Sequence, residues 1–282
     1  KDRVMATYRA RVRARNHVAA FIKSFYRRSD MSMLELTPDF IKEFAAYLST
    51  EAGLRNGSIW ANCMWLKGVV MKAHYNGLIP RNPFIQFHIS PNVKEREYLT
   101  EDELKAVMTH EFADSKLAYI RDIFIFASFT ALSFVDIQEL TNDNIVEVNG
   151  EKWILSKRHK TKVAFQVKLL DIPLQIVERY RPMQKDNRIF PGLNYWSICK
   201  PLKRMIRECG ITKSISFHCS RHGFATLALS KGMPIESVSR VLGHTNIVTT
   251  QLYAKITTQK LDNDLTMFGD KLSKTFNGIT MS

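Results

Sequence analysis

Three shortages bound what this chain of 282 residues can be. No apolar run approaches the roughly 18 residues that a spanning helix needs. The N-terminal segment KDRVMATYRARVRARN is basic with no apolar stretch behind it, so no secretion signal is legible and a cytoplasmic protein is expected. Cysteine is scarce and scattered. Of Cys63, Cys199, Cys209 and Cys219, none form a close pair, which fits free thiols in a reducing compartment. Cys199, Cys209, His218 and His222 come in the order of a zinc site, but the cysteines lie ten positions apart where structural sites hold them two to four apart. No metal is expected. Acidic residues are the third shortage, 27 against 41 Lys and Arg, with no carboxylate cluster to hold magnesium for a metallonuclease.

What is present is positive charge. The formal net charge is +14, which points to a polyanionic partner. Residues 1–97 carry 16 Lys and Arg against 8 Asp and Glu, and the rest of the chain 25 against 19, so the smaller part is the denser in charge. Within residues 1–30, Arg9, Arg11, Arg13, Arg15, Arg27 and Arg28 interleave with Tyr8, Val12, Val18, Phe21 and Phe25. That pattern predicts a helix with one cationic face for DNA phosphates.

Local signals order the chain. Thr37 and Pro38 open a helix through Leu48, and a second runs from about Ile59 to Tyr75 with Ile59, Cys63, Leu66, Val70 and Ala73 as its core stripe. Pro80, Pro83 and Pro91 break up Leu78 to Val93, which reads as a connecting segment. The capping box TEDE at Thr100–Glu103 starts a second domain, followed by an apolar helix from Leu117 through Leu132. Around Ile145–Leu155 and Val163–Leu169 the period falls to two, with Asn149-Gly150 as a hairpin turn, so a three-stranded antiparallel sheet is expected. Pro173 and Trp196–Glu208 mark further helices.

The chemistry is concentrated between Phe217 and Lys255. His218 and Arg221 share a helical face and can address one phosphate, for which arginine's planar fork suits it. His222 is expected to point away from both, in a structural role. Gly243 allows a tight turn, His244 opens the next helix with Thr245 as its N-cap, and Tyr253 lies on that helix. A tyrosine hydroxyl, with an ordinary pKa of about 10, becomes a nucleophile only where cations stabilise the developing charge.

HxxRH, then LGH, then a tyrosine nine residues on, resembles the tyrosine recombinases of the phage integrase family, of the type carried by mobile elements such as conjugative transposons. The resemblance implies that His218 and Arg221 bind the scissile phosphate, that His244 assists, and that Tyr253 joins the DNA 3′ phosphate. A lysine in a β-turn of the family's sheet is the general acid, and Lys160 in SKRHKTK fits it. The chain departs from the pattern at Thr130–Asp136: where the family's TGLRxxE motif carries its first catalytic arginine, this chain has Ser133. Arg158 is expected to supply the missing guanidinium from the same strand face as Lys160. Asp136 is expected to orient His218 or Arg221, with capping of its own helix as the other reading.

The resemblance implies a mainly α fold with a small antiparallel sheet: an all-α, SAM-like core-binding domain over 1–90, a linker at 91–97, an α+β catalytic domain over 98–270 and a tail over 271–282. It further implies duplex DNA at core-type sites as partner, four protomers assembled on DNA, accessory DNA-bending proteins, no cofactor, and a bacterial protein associated with the nucleoid when bound. Apolar Leu261, Leu265 and Phe268 in the tail suit packing on a neighbouring protomer or on the chain's own domain. Starting inside a basic helix without Met, the chain reads as truncated, with an arm-binding domain missing. Two other readings stay open: type IB topoisomerase chemistry, and a DNA-binding regulator weakened by Ser133.

Overall fold

The computed structural model describes residues 2–91, 97–159, 162–184, 186–254 and 258–275. The chain divides into two compact units, Lys1–Glu95 and Arg96–Ser282.

The first unit is helical. Helix α1 spans Asp2–Phe25, α2 Pro38–Thr50 and α3 Asn56–Tyr75. Thr37 caps α2 by accepting from the Phe40 amide, with Pro38 at the first helical position. The core stripe of α3 is the expected one, Ile59, Cys63, Leu66, Val70 and Ala73, all buried. Phe21 of α1 packs among Phe40, Phe44 and Tyr47 with ring centroids 5.2–5.5 Å apart, a cluster that locks α1 onto α2. Two expectations need correction. The segment after α3 is not a connector throughout, because Ile79 and Phe84 are buried in this core with Phe87 and Ile89 packed against it. Nor does α1 have one cationic face. Arg9 and Arg13 lie roughly opposite Arg11 and Arg15 on a helix of about 100° per residue, and all four are exposed because α1 buries nothing before Ala14 among the described side chains. Arg27 is exposed too, and Arg28 donates to both oxygens of Glu35.

The second unit is built round α5, Ser115–Thr130, which packs against α4 (Glu101–Thr109), α7 (Asp171–Tyr180), α8 (Tyr195–Glu208) and α9 (His218–Ser230). Its run Ile123–Ala127 is buried on every face, and each such Ile or Phe contributes about 1.5–3 kcal/mol. The TEDE capping box starts α4 as the sequence predicts: Thr100 and Glu103 bond each other's amides. Helix α5 stops at Thr130 rather than Leu132, because Ala131 adopts a left-handed φ of 56°. Helix α6, Phe134–Gln138, follows at once.

Strands β1 (Ile145–Val148), β2 (Glu151–Lys157) and β3 (Ala164–Lys168) form one antiparallel sheet in that order. Asn149 and Gly150 both take positive φ, 53° and 78°, the conformation a two-residue hairpin of this twist demands. Helices α10 (Ile235–Leu242), α11 (Val248–Gln251) and α12 (Thr258–Thr275) complete the unit. Helix α12 runs through the boundary expected at 270, and the apolar residues Leu261, Leu265, Phe268 and Leu272 along it are exposed. Among the described residues no helix is long and apolar enough to cross a membrane.

Candidate active site

The site begins at a helix end. Gly243, just past α10, has φ 62°; its amide donates to the Arg240 carbonyl and that of His244 to the Ser239 carbonyl. This glycine-terminated closure leaves the last carbonyls of α10, Val241 and Leu242, without helical partners. Two arginines take them. Arg221 of α9 donates to the Leu242 carbonyl and, at 2.8 Å, to that of Ala131, the left-handed end of α5. Arg158 donates to Val241 at 2.5 Å. Both guanidiniums thus sit on carbonyl ends of helices, where the dipole favours cations.

Arg158 reaches this place by a route that strand periodicity does not show. It follows β2 rather than lying in it, and its side chain turns inward to 5% exposure, with its guanidinium 4.1 Å from the Phe165 ring centroid. Asp136 Oδ2 accepts from Arg158 at 2.8 Å and from the Ser133 hydroxyl at 2.7 Å, while Oδ1 accepts from the His159 amide at 2.9 Å. Asp136 therefore orients Arg158 and the turn after β2, acts on Arg221 through its charge, and also closes the capping box of α6 with Ser133, the other reading the sequence allowed. The Ser133 hydroxyl is spent on this cap. His159 is held a second time, by Glu139 at 2.8 Å. Lys160, expected on this turn, lies outside the described residues.

The electrostatics follow from the burial. Burial alone would raise the Asp136 carboxyl, but the His159 amide, Ser133 and Arg158 outweigh it and hold it below the ordinary range. Burial lowers the Arg158 pKa, with Asp136 opposing. Burial, and then Arg158, bring Arg221 down to about 10, so both remain cations at neutral pH. Among the described residues one buried carboxylate thus faces two buried guanidiniums. The surplus charge is positive, and Arg158 Nε is buried with no hydrogen-bond partner among the described residues. An anion is what such a place accommodates.

The remaining residues close round it. His244 is pushed down to about 4 by burial first, then by Arg221, Arg158 and His218. It does not open a helix capped by Thr245: α11 starts at Val248, whose amide is taken by Asn246 Oδ1 at 2.9 Å. Tyr253 follows α11 rather than lying on it, half-buried, its ring stacked on His244 with centroids 6.5 Å apart. His222, expected to face away, packs 4.8 Å from the His218 ring and 5.1 Å from Tyr253. The spacing could have found it, since i and i+4 share a helical face. Thr250, whose hydroxyl lies 2.8 Å from His244 Nδ1, belongs to no motif legible in the sequence.

Residues 97–260 match the family described as phage integrase family, and residues 1–89 match the phage integrase SAM-like domain. The chain belongs to the phage integrase family. Within that family it is 32% identical over 177 residues to the tyrosine recombinase XerA of Pyrococcus horikoshii, which covers 58% of each protein. It is 25% identical over 229 residues to XerC of Lactobacillus leichmannii, covering 76% of this chain and 77% of the relative. Among solved structures, the Tn1549 transposon integrase in complex with transposon right end DNA superposes with a TM-score of 0.74 at 17% identity, over 91% of this chain and 92% of that one. A lambda integrase dimer bound to a COC' core site gives 0.69 at 17% identity, over 90% and 88%. The mainly helical fold with a small sheet is thus that of phage integrase family members.

Proposed function

We propose that this chain is a site-specific DNA recombinase or integrase that cuts and rejoins duplex DNA through a 3′-phosphotyrosine bond. The observation that carries the reading is the surplus buried cation beside Tyr253: Arg221 and Arg158 against the single carboxylate of Asp136, with His244 and His218 completing the ring. A phosphodiester seated there is neutralised by the guanidiniums. The Tyr253 hydroxyl gives up its proton to solvent as its oxygen attacks phosphorus, the bond to the 5′ oxygen breaks, and the phosphate stays on Tyr253 while Lys160 protonates the leaving oxygen. A free 5′ hydroxyl of a partner duplex reverses the step. The side-chain cations do the work that a metal would otherwise do.

Arg158 takes the part of the arginine that Ser133 replaces. Its guanidinium hangs from Asp136, three residues beyond Ser133 and bonded to it, so a cation is supplied to the same helix end from the sheet. Arg9, Arg11, Arg13, Arg15 and Arg27 of the first unit supply exposed charge for the DNA backbone, with Arg28 already engaged by Glu35. The domain limits 1–90 and 98–270 belong to this reading, as does a tetramer on DNA. The exposed stripe of Leu261, Leu265, Phe268 and Leu272 on α12 suits contact between protomers.

The test is a nicked suicide duplex bearing the element's core site, incubated with the protein in EDTA. The reading requires a covalent protein–DNA adduct on a denaturing gel that Tyr253→Phe abolishes. A protein that binds the duplex and forms no adduct is a regulator instead, and relaxation of supercoils without strand exchange would mark a topoisomerase.

A further inference from the structure

Thr250 is fully buried, at 0% exposure, in the four-residue helix α11. Two of its polar groups face the two chemical residues on either side, while its amide donates to the Ile247 carbonyl. The hydroxyl lies 2.8 Å from His244 Nδ1, and the backbone carbonyl accepts from the Tyr253 amide at 3.0 Å. Among the described residues the hydroxyl has no other hydrogen-bond partner.

That single partner decides the direction of the bond. Were Nδ1–H to donate to Thr250, the hydroxyl's own proton would be buried with no acceptor among the described residues. An orphaned buried donor of that kind carries the full cost of its lost hydration. If the hydroxyl donates, only a spare lone pair goes unused, which costs less.

We propose that Thr250 is a positioning residue: its hydroxyl donates to His244 Nδ1, so that neutral His244 carries its one ring proton on Nε2 and presents it as a donor to the phosphate. His244 is neutral at working pH because burial, the guanidiniums of Arg221 from α9 and Arg158 from the turn after β2, and the neighbouring His218 of α9 all disfavour its imidazolium. A neutral imidazole has one donor only. Thr250 determines which nitrogen holds it, and through its carbonyl fixes Tyr253 to the same point.

The proposal rests on the recombinase reading for its catalytic meaning, but its first measurement does not need activity. Long-range proton–nitrogen correlation spectra of the DNA-free protein at pH 7.5 report the His244 tautomer directly. The expected result is the Nε2–H form in the wild type and in Thr250→Ser, and a shift to Nδ1–H or a mixture in Thr250→Val. An Nδ1–H or doubly protonated His244 in the wild type overturns the proposal even if Thr250→Val fails to fold. On the suicide duplex, Thr250→Val should cleave about tenfold to 100-fold more slowly in single turnover, the range for losing the partner that orients a functional histidine. DNA affinity should be unchanged, and Thr250→Ser should recover most of the rate. A Thr250→Val variant that keeps both tautomer and rate overturns the proposal. A wild type with the expected tautomer and no adduct would sink the recombinase reading and leave the tautomer assignment standing.

Discussion

A Cβ added to Gly243 would lie 2.9 Å from Arg158 Nε and 3.0 Å from its Cγ. Arg158 passes directly over the glycine that ends α10, and it cannot swing aside cheaply, because its head is tied to Asp136 and to the Val241 carbonyl. The glycine of LGH is therefore required twice, for its φ of 62° and for the guanidinium lying on it.

Gly243→Ala is expected to cost about 1–2 kcal/mol from the left-handed backbone alone, and more from the displaced Arg158. Urea unfolding measures the first part and the suicide duplex the second. A variant with wild-type cleavage would mean that Arg158 can act from elsewhere.

Arg158→Ala is expected to slow cleavage on the order of 100- to 1000-fold, as loss of one preorganised donor does, while exposed Lys157→Ala stays within a few-fold. Arg158→Lys should not restore the rate, since an ammonium cannot reach Asp136 and Val241 with one planar fork. Removing Arg158 also leaves Asp136 buried and unpaired, at about 3–5 kcal/mol. Cleavage must therefore be compared at a temperature where the variant remains folded. Equal mild effects at 157 and 158 would remove Arg158 from the site.

The pH dependence has a definite sign. His244 is held near 4 in the folded protein against 6.5 in the unfolded chain, so the unfolded state binds the extra proton first. His244 has no effect on stability above pH 6.5, destabilises the fold progressively as pH falls from 6.5 to about 4, and adds nothing further below that. Thermal melts of wild type and His244→Asn between pH 4 and 7 should diverge in that window. Melts that run parallel through it would mean that His244 titrates normally.

Ala131→Gly sets two effects against each other. Glycine relieves about 1–2 kcal/mol of left-handed strain, but the Ala131 methyl is buried among Ala225, Leu229, Val238 and Leu242, and its loss costs about 1 kcal/mol. The expected shift in unfolding free energy is within about 1 kcal/mol of zero. A loss well beyond that would show that the methyl packs better than its size suggests.

In the first unit, alanine at Arg9, Arg11, Arg13 or Arg15 should lower DNA affinity about equally across sequences. Each phosphate left without its arginine should flatten the log–log salt dependence by about 0.9. Arg28→Ala should change it less, because that side chain is already paired with Glu35. A larger effect at Arg28 would mean that the pair opens on DNA.

Much of this was legible in the linear chain because it depends on near neighbours. The N-cap at Thr37, the TEDE box, the Asn149-Gly150 turn and the core stripe of α3 are set by interactions within a few residues, and the structure repeats them. The motif HxxRH, LGH and Tyr253 carried the family by residue type and spacing, and the family model agrees. Where local reading failed, a distant partner had intervened. Asp136 takes Arg158, 22 residues on, as its ion-pair partner, and Arg158 lies past the end of its strand and meets Val241, 83 residues on.

The sequence alone thus determined most of the elements, the charge and the family, since periodicity, capping, composition and motif spacing are properties of short stretches. Only the tertiary structure decided which carbonyls hold the two guanidiniums, that Arg158 hangs from the carboxylate beside Ser133, and that Thr250 faces His244. Those pairings form because helix ends and buried charges must find partners, and in a folded chain the nearest partner in space is seldom the nearest in sequence.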